Sequence, residues 1–233
     1  MPLRAIIFDA GNTLVRIDYA AIAAALAARG VHVSADDVMR AEWRARVRLD
    51  AEAFAPAKAA STEARATHDN YFAYTLEGVG VTDGALVDAM MDWRAGYNRP
   101  LGLWTAPEPA AAPALRLARE AGLRTGVISN SNGYIKEILR RLELLPLLDF
   151  ALDSSEEGVE KPHPAIFERA LARAGVKAAE AAYVGDFYSV DVLGARRAGL
   201  QGVLLDPGAC WGERDCRTGA TVLDVVKSLL PCT

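Results

Sequence analysis

The second half of the chain alternates between helical segments and short apolar runs, and this alternation constrains the fold more than any other feature. Helices are predicted over residues 108–121, 134–142, 164–174 and 190–198. The apolar runs between and after them are RTGVIS, FALDSS, AAYVGD and QGVLLD. Strands that alternate with helices of this length form a parallel sheet covered by helices on both faces. The pattern therefore predicts an α/β fold with a doubly wound parallel sheet.

A helical region interrupts this pattern after its first strand. The run Leu3–Phe8 is apolar and rich in strand formers, whereas residues 18–98 show helical periodicity and no convincing strand. Ser34 and Asp37 have the spacing of a capping box at the start of one of these helices. Prolines from Pro100 onward then mark a return to the first pattern. The predicted domains are a core of residues 1–16 and 100–233 and an inserted all-helical domain of residues 17–99.

Composition and charge limit the partners that we expect. The chain has 233 residues, of which 52% are hydrophobic and 24% charged, as in ordinary globular proteins. The net charge of -4 does not suggest a nucleic-acid binder. No apolar run approaches the roughly 20 residues of a membrane helix, and the N-terminal MPLRAIIFD leaves no room for a signal peptide. We therefore expect a cytoplasmic protein that binds neither nucleic acid nor membrane.

The end of the chain carries three cysteines, Cys210, Cys216 and Cys232. A disulfide between Cys210 and Cys216 is one alternative, and reduced thiols are the favoured one in a cytoplasmic protein. The segment 207–216 is polar and irregular. We predict that it is mobile and has no catalytic role.

Polar side chains follow the predicted strands at the edge where ligands bind in open parallel sheets. They are Asp9, Ser129, Asn130, Glu160, Lys161 and Asp186. Each of them alone is explained by a turn, a helix cap or an ordinary surface position. Their joint occurrence at successive strand ends favours a functional site.

Three of the acids near these strand ends have the chemistry of a magnesium site. Asp9 and Asp186 supply hard oxygen ligands, and the carbonyl of Gly11 is a further ligand. Asp191 lies five residues after Asp186 and can hold a water bound to the metal. Magnesium commonly binds through one or two carboxylates together with a substrate phosphate. We therefore predict Mg²⁺ as the cofactor.

The remaining groups suit the transfer of a phosphoryl group. A carboxylate such as Asp9 attacks phosphorus to form an aspartyl-phosphate. Ser129 can donate to a phosphate oxygen, and Lys161 can neutralise both Asp9 and the transferring group. Asn130, beside Ser129, is a further candidate for substrate binding. The predicted substrate is a small phosphorylated metabolite.

Four stretches, DAGNT, VISN, KPHPAIF and VGDFYSVD, together resemble the four motifs of the haloacid dehalogenase-like hydrolase superfamily. They occur in the order of that superfamily, and the helical insert lies where its C1 cap belongs. The resemblance implies a Rossmann-like core, a mobile cap and an aspartyl-enzyme intermediate.

The resemblance also implies a role for individual residues. It makes Asp9 the nucleophile, Ser129 the phosphate-binding hydroxyl and Lys161 the charge anchor. It makes Asp186 and Asp191 the magnesium acids. Thr13 matches the hydroxyl residue that supports the loop of the first motif.

Gly11 departs from the pattern of the superfamily's phosphatases, which usually have an acid two residues after the nucleophile. That acid protonates the leaving group and then activates water, and such catalysis contributes about 10²–10⁴-fold. The superfamily's dehalogenases also lack the acid, because halide needs no proton. The carboxylates Asp186 and Asp191 favour a magnesium-dependent phosphatase. Its activity is expected to be weak if no other residue replaces the acid that Gly11 lacks. A 2-haloacid dehalogenase and a non-catalytic binder of a phosphate ligand or partner are the alternatives.

The inserted domain is expected to select the substrate. Arg44 and Arg48 share one helix face and are candidates for substrate binding, although a solvated helix face is the favoured explanation for each of them alone. His68 and Tyr71 are further candidates, and we hypothesise that some residue of this domain compensates for Gly11. The sequence is compatible with a monomer or a homodimer.

Overall fold

The computed structural model describes residues 2–54 and 61–231. The strands of these residues are β1 (Ala5–Phe8), β2 (Val15–Ile17), β3 (Trp104–Pro107), β4 (Arg124–Ser129), β5 (Phe150–Asp153), β6 (Ala181–Gly185), β7 (Gln201–Leu205) and β8 (Arg217–Gly219). Six of them form one sheet in the order β5-β4-β1-β6-β7-β8, in which every neighbouring pair is parallel. Strands β2 and β3 pair with each other in a second sheet. The predicted α/β fold class is confirmed.

The α-helices of the described residues are α1 (Tyr19–Ala27), α2 (Ala35–Leu49), α3 (Arg65–Gly78), α4 (Gly84–Gly96), α5 (Ala111–Glu120), α6 (Ile135–Arg141), α7 (Ser154–Glu157), α8 (Pro164–Ala174), α9 (Leu193–Arg197) and α10 (Val222–Leu229). Two π-helical turns, Asp50–Phe54 and Tyr188–Val192, follow α2 and precede α9. Within the described part of the chain, no helix has the length and apolar character needed to cross a membrane.

The chain divides into two compact units. The core unit consists of Met1–Arg16 and Ala106–Thr233 and contains the six-stranded sheet, and the helical unit consists of Ile17–Thr105 and contains α1 to α4. The return to the core unit lies at residues 105 and 106, later in the chain than the predicted position at residues 99 and 100.

Apolar packing on one face of the sheet fixes the core unit. Ile7 of β1, Ile128 of β4 and Leu152 of β5 pack in one buried cluster with Ile166 and Phe167 of α8. The strands are buried along nearly their whole length, as expected for parallel strands covered by helices. This burial explains why the strands appear in the sequence as continuous apolar runs rather than as alternating ones.

The order of the strands brings Asp9 and Asp186 to one place. Strand β1 lies between β4 and β6, and the chain visits β4 and β5 on one side before β6, β7 and β8 on the other. Such a reversal leaves a crevice at the carboxyl ends of the strands, where ligands bind. Asp9 directly follows β1 and Asp186 directly follows β6, and β1 and β6 are neighbours in the sheet.

Local signals at the helix starts are confirmed in the helical unit. Ser34 accepts a hydrogen bond from the backbone N–H of Asp37 at 3.1 Å, and the Asp37 carboxylate accepts one from the Ser34 N–H, which completes the capping box. In the core unit, the helix predicted at residues 164–174 has the same bounds in the structure.

Several elements were not predicted. Strand β8 is short and exposed, and its backbone pairing with β7 rather than an apolar pattern makes it a strand. Helix α10 was also missed. The helix predicted at residues 190–198 instead begins as the π-helical turn Tyr188–Val192 and continues as α9.

Candidate active site

Lys161 is the central group of the site, and its ammonium contacts three oxygens. Nζ lies 2.5 Å from Oδ1 of Asp9, 2.8 Å from Oδ1 of Asp191 and 2.9 Å from the phenol oxygen of Tyr183. The lysine side chain is 3% exposed. Burial alone lowers the pKa of Lys161, but Asp191 and Asp9 outweigh it and keep that pKa well above its usual value. Lys161 is therefore a fixed positive charge beside Asp9.

Asp9 is held at the end of β1 by a tight turn. Its backbone N–H donates to the carbonyl of Val184 in β6 at 2.8 Å. The carbonyl of Ala10 then accepts hydrogen bonds from the N–H groups of Leu14 and Val15, both at 2.9 Å. Asn12 has a φ of 52°, a conformation that asparagine tolerates better than most residues. The turn-forming residues of the motif thus set the direction of the nucleophile candidate.

The carboxyl group of Asp9 is buried, and this changes its acidity. Burial raises the pKa of Asp9 to about 6, with Lys161 opposing the increase and the Asp191 carboxylate adding to it. The ionised carboxylate is thus stabilised by Lys161 but poorly solvated. A desolvated carboxylate next to a fixed cation has the properties of a nucleophile that reacts with an electrophile placed at the same edge.

Asp9, Asp186 and Asp191 can together hold a metal ion. One carboxylate oxygen of each residue lies within 4.8 Å of the others, and all three residues are buried. Such oxygens are the ligands that Mg²⁺ prefers. In addition, the Gly11 carbonyl accepts no hydrogen bond from the described residues. The donor set therefore fits a hard divalent cation.

Asp191 reaches the cluster because Gly185 has no side chain. The Oδ2 atom of Asp191 accepts a hydrogen bond from the N–H of Phe187 at 2.9 Å, which fixes the carboxylate within the π-helical turn. A Cβ atom on Gly185 would lie 2.4 Å from the Asp191 carboxyl carbon. Any side chain at residue 185 would therefore displace this carboxylate.

Asn12 and Thr13 line the same turn as Asp9. The amide nitrogen of Asn12 lies 3.3 Å from Oδ2 of Asp186 and donates to it, which links the loops after β1 and β6. Thr13 is 1% exposed, and its hydroxyl has no hydrogen-bond partner among the described residues. Its predicted support of the loop stays a prediction.

Ser129 and Asn130 are neighbours in the sequence, but in the described part of the chain only Asn130 of the two has side-chain hydrogen bonds to the loop that carries Lys161. Ser129 ends β4 and is 5% exposed. The amide of Asn130 is bound to the backbone of Lys161: Nδ2 donates to the Lys161 carbonyl, and Oδ1 accepts from the Lys161 N–H, both at 2.9 Å. Asn130 thus positions the loop that carries Lys161. Substrate binding by either residue stays a prediction.

Sequence reasoning missed Asp153, which holds the loop after Ser129. Asp153 ends β5 opposite Ser129 and is fully buried. Its Oδ2 atom accepts hydrogen bonds from the Ser131 hydroxyl at 2.8 Å and the Gly133 N–H at 2.9 Å, and Oδ1 accepts from the Ser155 hydroxyl at 2.8 Å. A carboxylate at the end of an apolar strand is the signal that could have identified it.

Tyr183 was also missed, because it lies within an apolar strand and is indistinguishable in sequence from a core residue. The residue is fully buried in β6, and its phenol contacts Lys161. Burial raises the pKa of the Tyr183 phenol well above its usual range, so the phenol is neutral.

The arginines predicted to bind substrate are exposed on α2 of the helical unit. Arg48 forms ion pairs with Glu52 at 2.9 Å and with Glu77 at 2.8 Å, so its charge is already neutralised. Arg44 is exposed as well. The substrate roles of Arg44 and Arg48 stay predictions.

The buried arginine of α2 is Arg46, which the sequence did not single out. Its Nη2 atom lies 2.6 Å from Oε2 of Glu42, and both side chains are inaccessible to solvent or nearly so. The phenols of Tyr19 and Tyr71 also donate to Glu42. Tyr71 therefore has a structural role inside the helical unit. The other candidate, His68, is partly exposed and lies 3.7 Å from a carboxylate oxygen of Glu63.

The segment 207–216 is bound more firmly than predicted. The Asp206 carboxylate accepts hydrogen bonds from the N–H groups of Cys210 at 2.7 Å and Trp211 at 3.2 Å, and Trp211 is buried. Asp215 accepts hydrogen bonds from Tyr188 and Arg196. The predicted mobility is at odds with these contacts. Cys210 and Cys216 are free thiols, and Cys232 lies outside the described residues.

The chain matches a known protein family along most of its length. The family model of the haloacid dehalogenase-like hydrolases matches residues 3–199. A haloacid dehalogenase-like hydrolase domain-containing protein 3 of Danio rerio is 41% identical over 92 residues, which cover 40% of this chain and 38% of that protein. The chain thus matches well under half the length of this relative.

Two further proteins match along nearly the whole chain. A glyceraldehyde 3-phosphate phosphatase of Methanothermobacter thermautotrophicus is 29% identical over 232 residues, or 97% of this chain and 98% of that protein. The solved 2-haloacid dehalogenase of Pseudomonas syringae is 26% identical, with a TM-score of 0.56 and coverage of 97% of this chain and 98% of that one. With the family match over most of its length, the chain belongs to the haloacid dehalogenase-like hydrolases.

Proposed function

We propose that this hydrolase is a magnesium-dependent phosphatase that forms an aspartyl-phosphate on Asp9. The observation that carries the proposal is the buried cluster of Asp9, Asp186 and Asp191, in which Asp9 and Asp191 also contact Lys161. Three carboxylates at one site need more positive charge than a single lysine provides, and a divalent cation supplies it. A dehalogenase, whose carboxylate attacks carbon, has no phosphoryl group whose charge a metal ion would need to neutralise.

The first step is attack by the free oxygen of Asp9 on the phosphorus of the substrate. One oxygen of Asp9 is bound to Lys161, so the other oxygen is available to form the new bond. As this P–O bond forms, the bond from phosphorus to the leaving-group oxygen breaks, and that oxygen takes its proton from water. Bound magnesium supplies charge stabilisation at the phosphoryl oxygens. Lys161 and the Ser129 hydroxyl stabilise the remaining negative charge on the phosphoryl group.

In the second step, water attacks the phosphorus of the aspartyl-phosphate, which releases inorganic phosphate and restores the Asp9 carboxylate. Gly11 has no side chain that can protonate the leaving group or activate this water. Aryl and acyl phosphates, whose leaving groups are stable as anions, are therefore expected to react faster than alkyl phosphates. The substrate class is a small phosphorylated metabolite, in keeping with the name of the glyceraldehyde 3-phosphate phosphatase relative.

The second candidate is a 2-haloacid dehalogenase. It is favoured by Gly11, since halide leaves without a proton, and by the similarity to the dehalogenase of Pseudomonas syringae. Asp186 and Asp191 argue against it, because a cation bound to them would hold the Asp9 oxygens away from carbon.

Paired assays decide between the candidates. Phosphate release is measured over phosphorylated metabolites and aryl and acyl phosphates, with Mg²⁺ and with EDTA, and halide release is measured over short 2-haloacids. We expect phosphate release that requires Mg²⁺ and is lost in Asp186→Asn, with the exposed Asp88→Asn as the matched control. Halide release that EDTA does not affect would establish the dehalogenase instead. If neither product forms, the chain is a non-catalytic binder.

A further inference from the structure

Tyr183 connects the candidate catalytic lysine to the interior of the sheet. Its phenol oxygen accepts a hydrogen bond from Nζ of Lys161 at 2.9 Å, and the hydroxyl donates to the carbonyl of Ile128 at 3.3 Å. Ile128 lies in β4 directly before Ser129. The phenol thus contacts Lys161 directly and the residue that precedes Ser129.

The lysine ammonium has three N–H groups, and the geometry gives each of them one acceptor. Two acceptors are the carboxylates Asp9 and Asp191, and the third is the neutral phenol of Tyr183. A lysine side chain has a flexible four-carbon stem, so its ammonium is held in place by its partners rather than by its own geometry. Two carboxylates alone leave one N–H free to turn toward other acceptors. The phenol removes that freedom without adding another negative charge.

Tyr183 is itself rigid. It lies in β6, which pairs with β1 on one side and β7 on the other. Its ring packs edge-on against the ring of Phe167, with 5.0 Å between the ring centroids. The side chain is fully buried. The phenol oxygen therefore has a fixed position, and its hydrogen bond holds Nζ of Lys161 in place.

We propose that Tyr183 is a positioning residue that fixes the Lys161 ammonium between Asp9 and Asp191 and is needed for the rate of reaction rather than for substrate binding. The inference rests on the proposed function of the same site, and it adds a residue to which no motif of the chain assigns a role. The alternative is a tyrosine that only fills the core.

Tyr183→Phe tests this inference, because it removes the hydroxyl and keeps the ring that packs on Phe167. We expect kcat on an aryl phosphate to fall by about 10- to 100-fold with KM within about 3-fold. Tyr97→Phe is the matched control: it also removes a partly buried phenol hydroxyl that donates to a carboxylate, that of Asp18 in the helical unit at 2.9 Å, and should leave kcat unchanged. Thermal unfolding of both variants establishes that they fold.

A double-mutant cycle with Lys161→Met separates positioning from packing. If Tyr183 acts through Lys161, adding Tyr183→Phe to Lys161→Met lowers the residual kcat no further. Equal loss in both backgrounds would mean that the tyrosine acts on the core in general, and the inference would be wrong. An unchanged kcat in Tyr183→Phe alone would also overturn it.

A wild-type protein without phosphatase turnover would contradict the proposed function but still allow a test of Tyr183. Crystal structures of the wild type and of Tyr183→Phe are then compared at the lysine. Displacement of Nζ from Asp9 or Asp191 in the variant would support the positioning role. The same Nζ position in both would refute it.

Discussion

The ammonium of Lys161 lies 2.5 Å from Oδ1 of Asp9, with both side chains buried. One oxygen of the nucleophile candidate is thereby bound to a cation, and the other is left for attack. Because the two residues are 152 positions apart in sequence, only the fold creates this pair. The contact leads to specific predictions about the carboxylate and its neighbours.

Asp9→Asn is expected to abolish phosphate release, by at least about 10³-fold, because an amide does not form the aspartyl-phosphate. The measurement is kcat with an aryl phosphate in the presence of Mg²⁺. Asp88→Asn makes the same chemical change at an exposed residue of the helical unit and should retain full activity. Turnover that persists in Asp9→Asn would show that Asp9 is not the nucleophile.

The stability of the metal-free protein should depend on the ionisation of Asp9. The pKa of this carboxyl is about 6 in the folded protein and 3.8 as an ordinary aspartate, chiefly because of burial. Between these values the native state binds more protons than the unfolded state, so the contribution of Asp9 to stability is present below pH 3.8 and is lost as the pH rises through about 6. An asparagine at position 9 does not ionise, so the Asp9→Asn variant does not lose this stability as the pH rises.

Asp9→Asn should therefore be more stable than the wild type in EDTA at pH 8, by an amount of the order of 1–3 kcal/mol, and this difference should shrink toward pH 4. Thermal unfolding between pH 4 and pH 8 measures it. Adding Mg²⁺ should narrow the difference at pH 8, since a bound cation stabilises the ionised carboxylate of the wild type only. A difference that is constant with pH would contradict the effect of burial on Asp9.

Gly11→Asp should increase phosphatase activity toward substrates with poor leaving groups. Gly11 does not have a positive φ, so its backbone accepts a side chain. We expect an increase of about 10-fold or more on alkyl phosphates and little change on aryl phosphates, because only the former need a proton for the leaving group. Gly11→Asn, which has the same shape and does not titrate, is the matched control. If Gly11→Asp and Gly11→Asn increase the activity on alkyl phosphates equally, the gain does not come from acid catalysis, and the prediction is wrong.

Gly185→Ala should displace the Asp191 carboxylate from the acidic cluster. The added Cβ would lie 2.4 Å from the carboxyl carbon of Asp191, so the carboxylate must move. Overpacking of this kind costs about 1–3 kcal/mol of unfolding free energy. We also expect a higher Mg²⁺ concentration at half-maximal activity. Gly84→Ala, where nothing lies within 4 Å of the new Cβ, should leave the magnesium dependence unchanged and should not lower the unfolding free energy. Wild-type magnesium dependence in Gly185→Ala would rule out a role for Asp191 at the metal.

The sequence alone determined the alternation of strands and helices in the core unit and the strand ends that carry Asp9 and Asp186. Apolar runs between helical segments are a local signal, and the carboxyl ends of parallel strands share one edge by geometry. The capping box at Ser34 is also local and was predicted for the same reason. Strand β8 has no such signal, since backbone pairing with β7, and not an apolar pattern of its own, defines it.

Only the tertiary structure decided the partners of each side chain. Tyr183 and Asp153 are ordinary residues of apolar strands in the sequence, and their roles arise from contacts with Lys161 and with the loop after Ser129. The same holds for Asn130, which the structure joins to the Lys161 backbone. Hydrogen bonds between residues distant in sequence depend on how the strands are ordered in the sheet. A linear pattern of residue types records which groups are present, whereas the strand order fixes which of them meet.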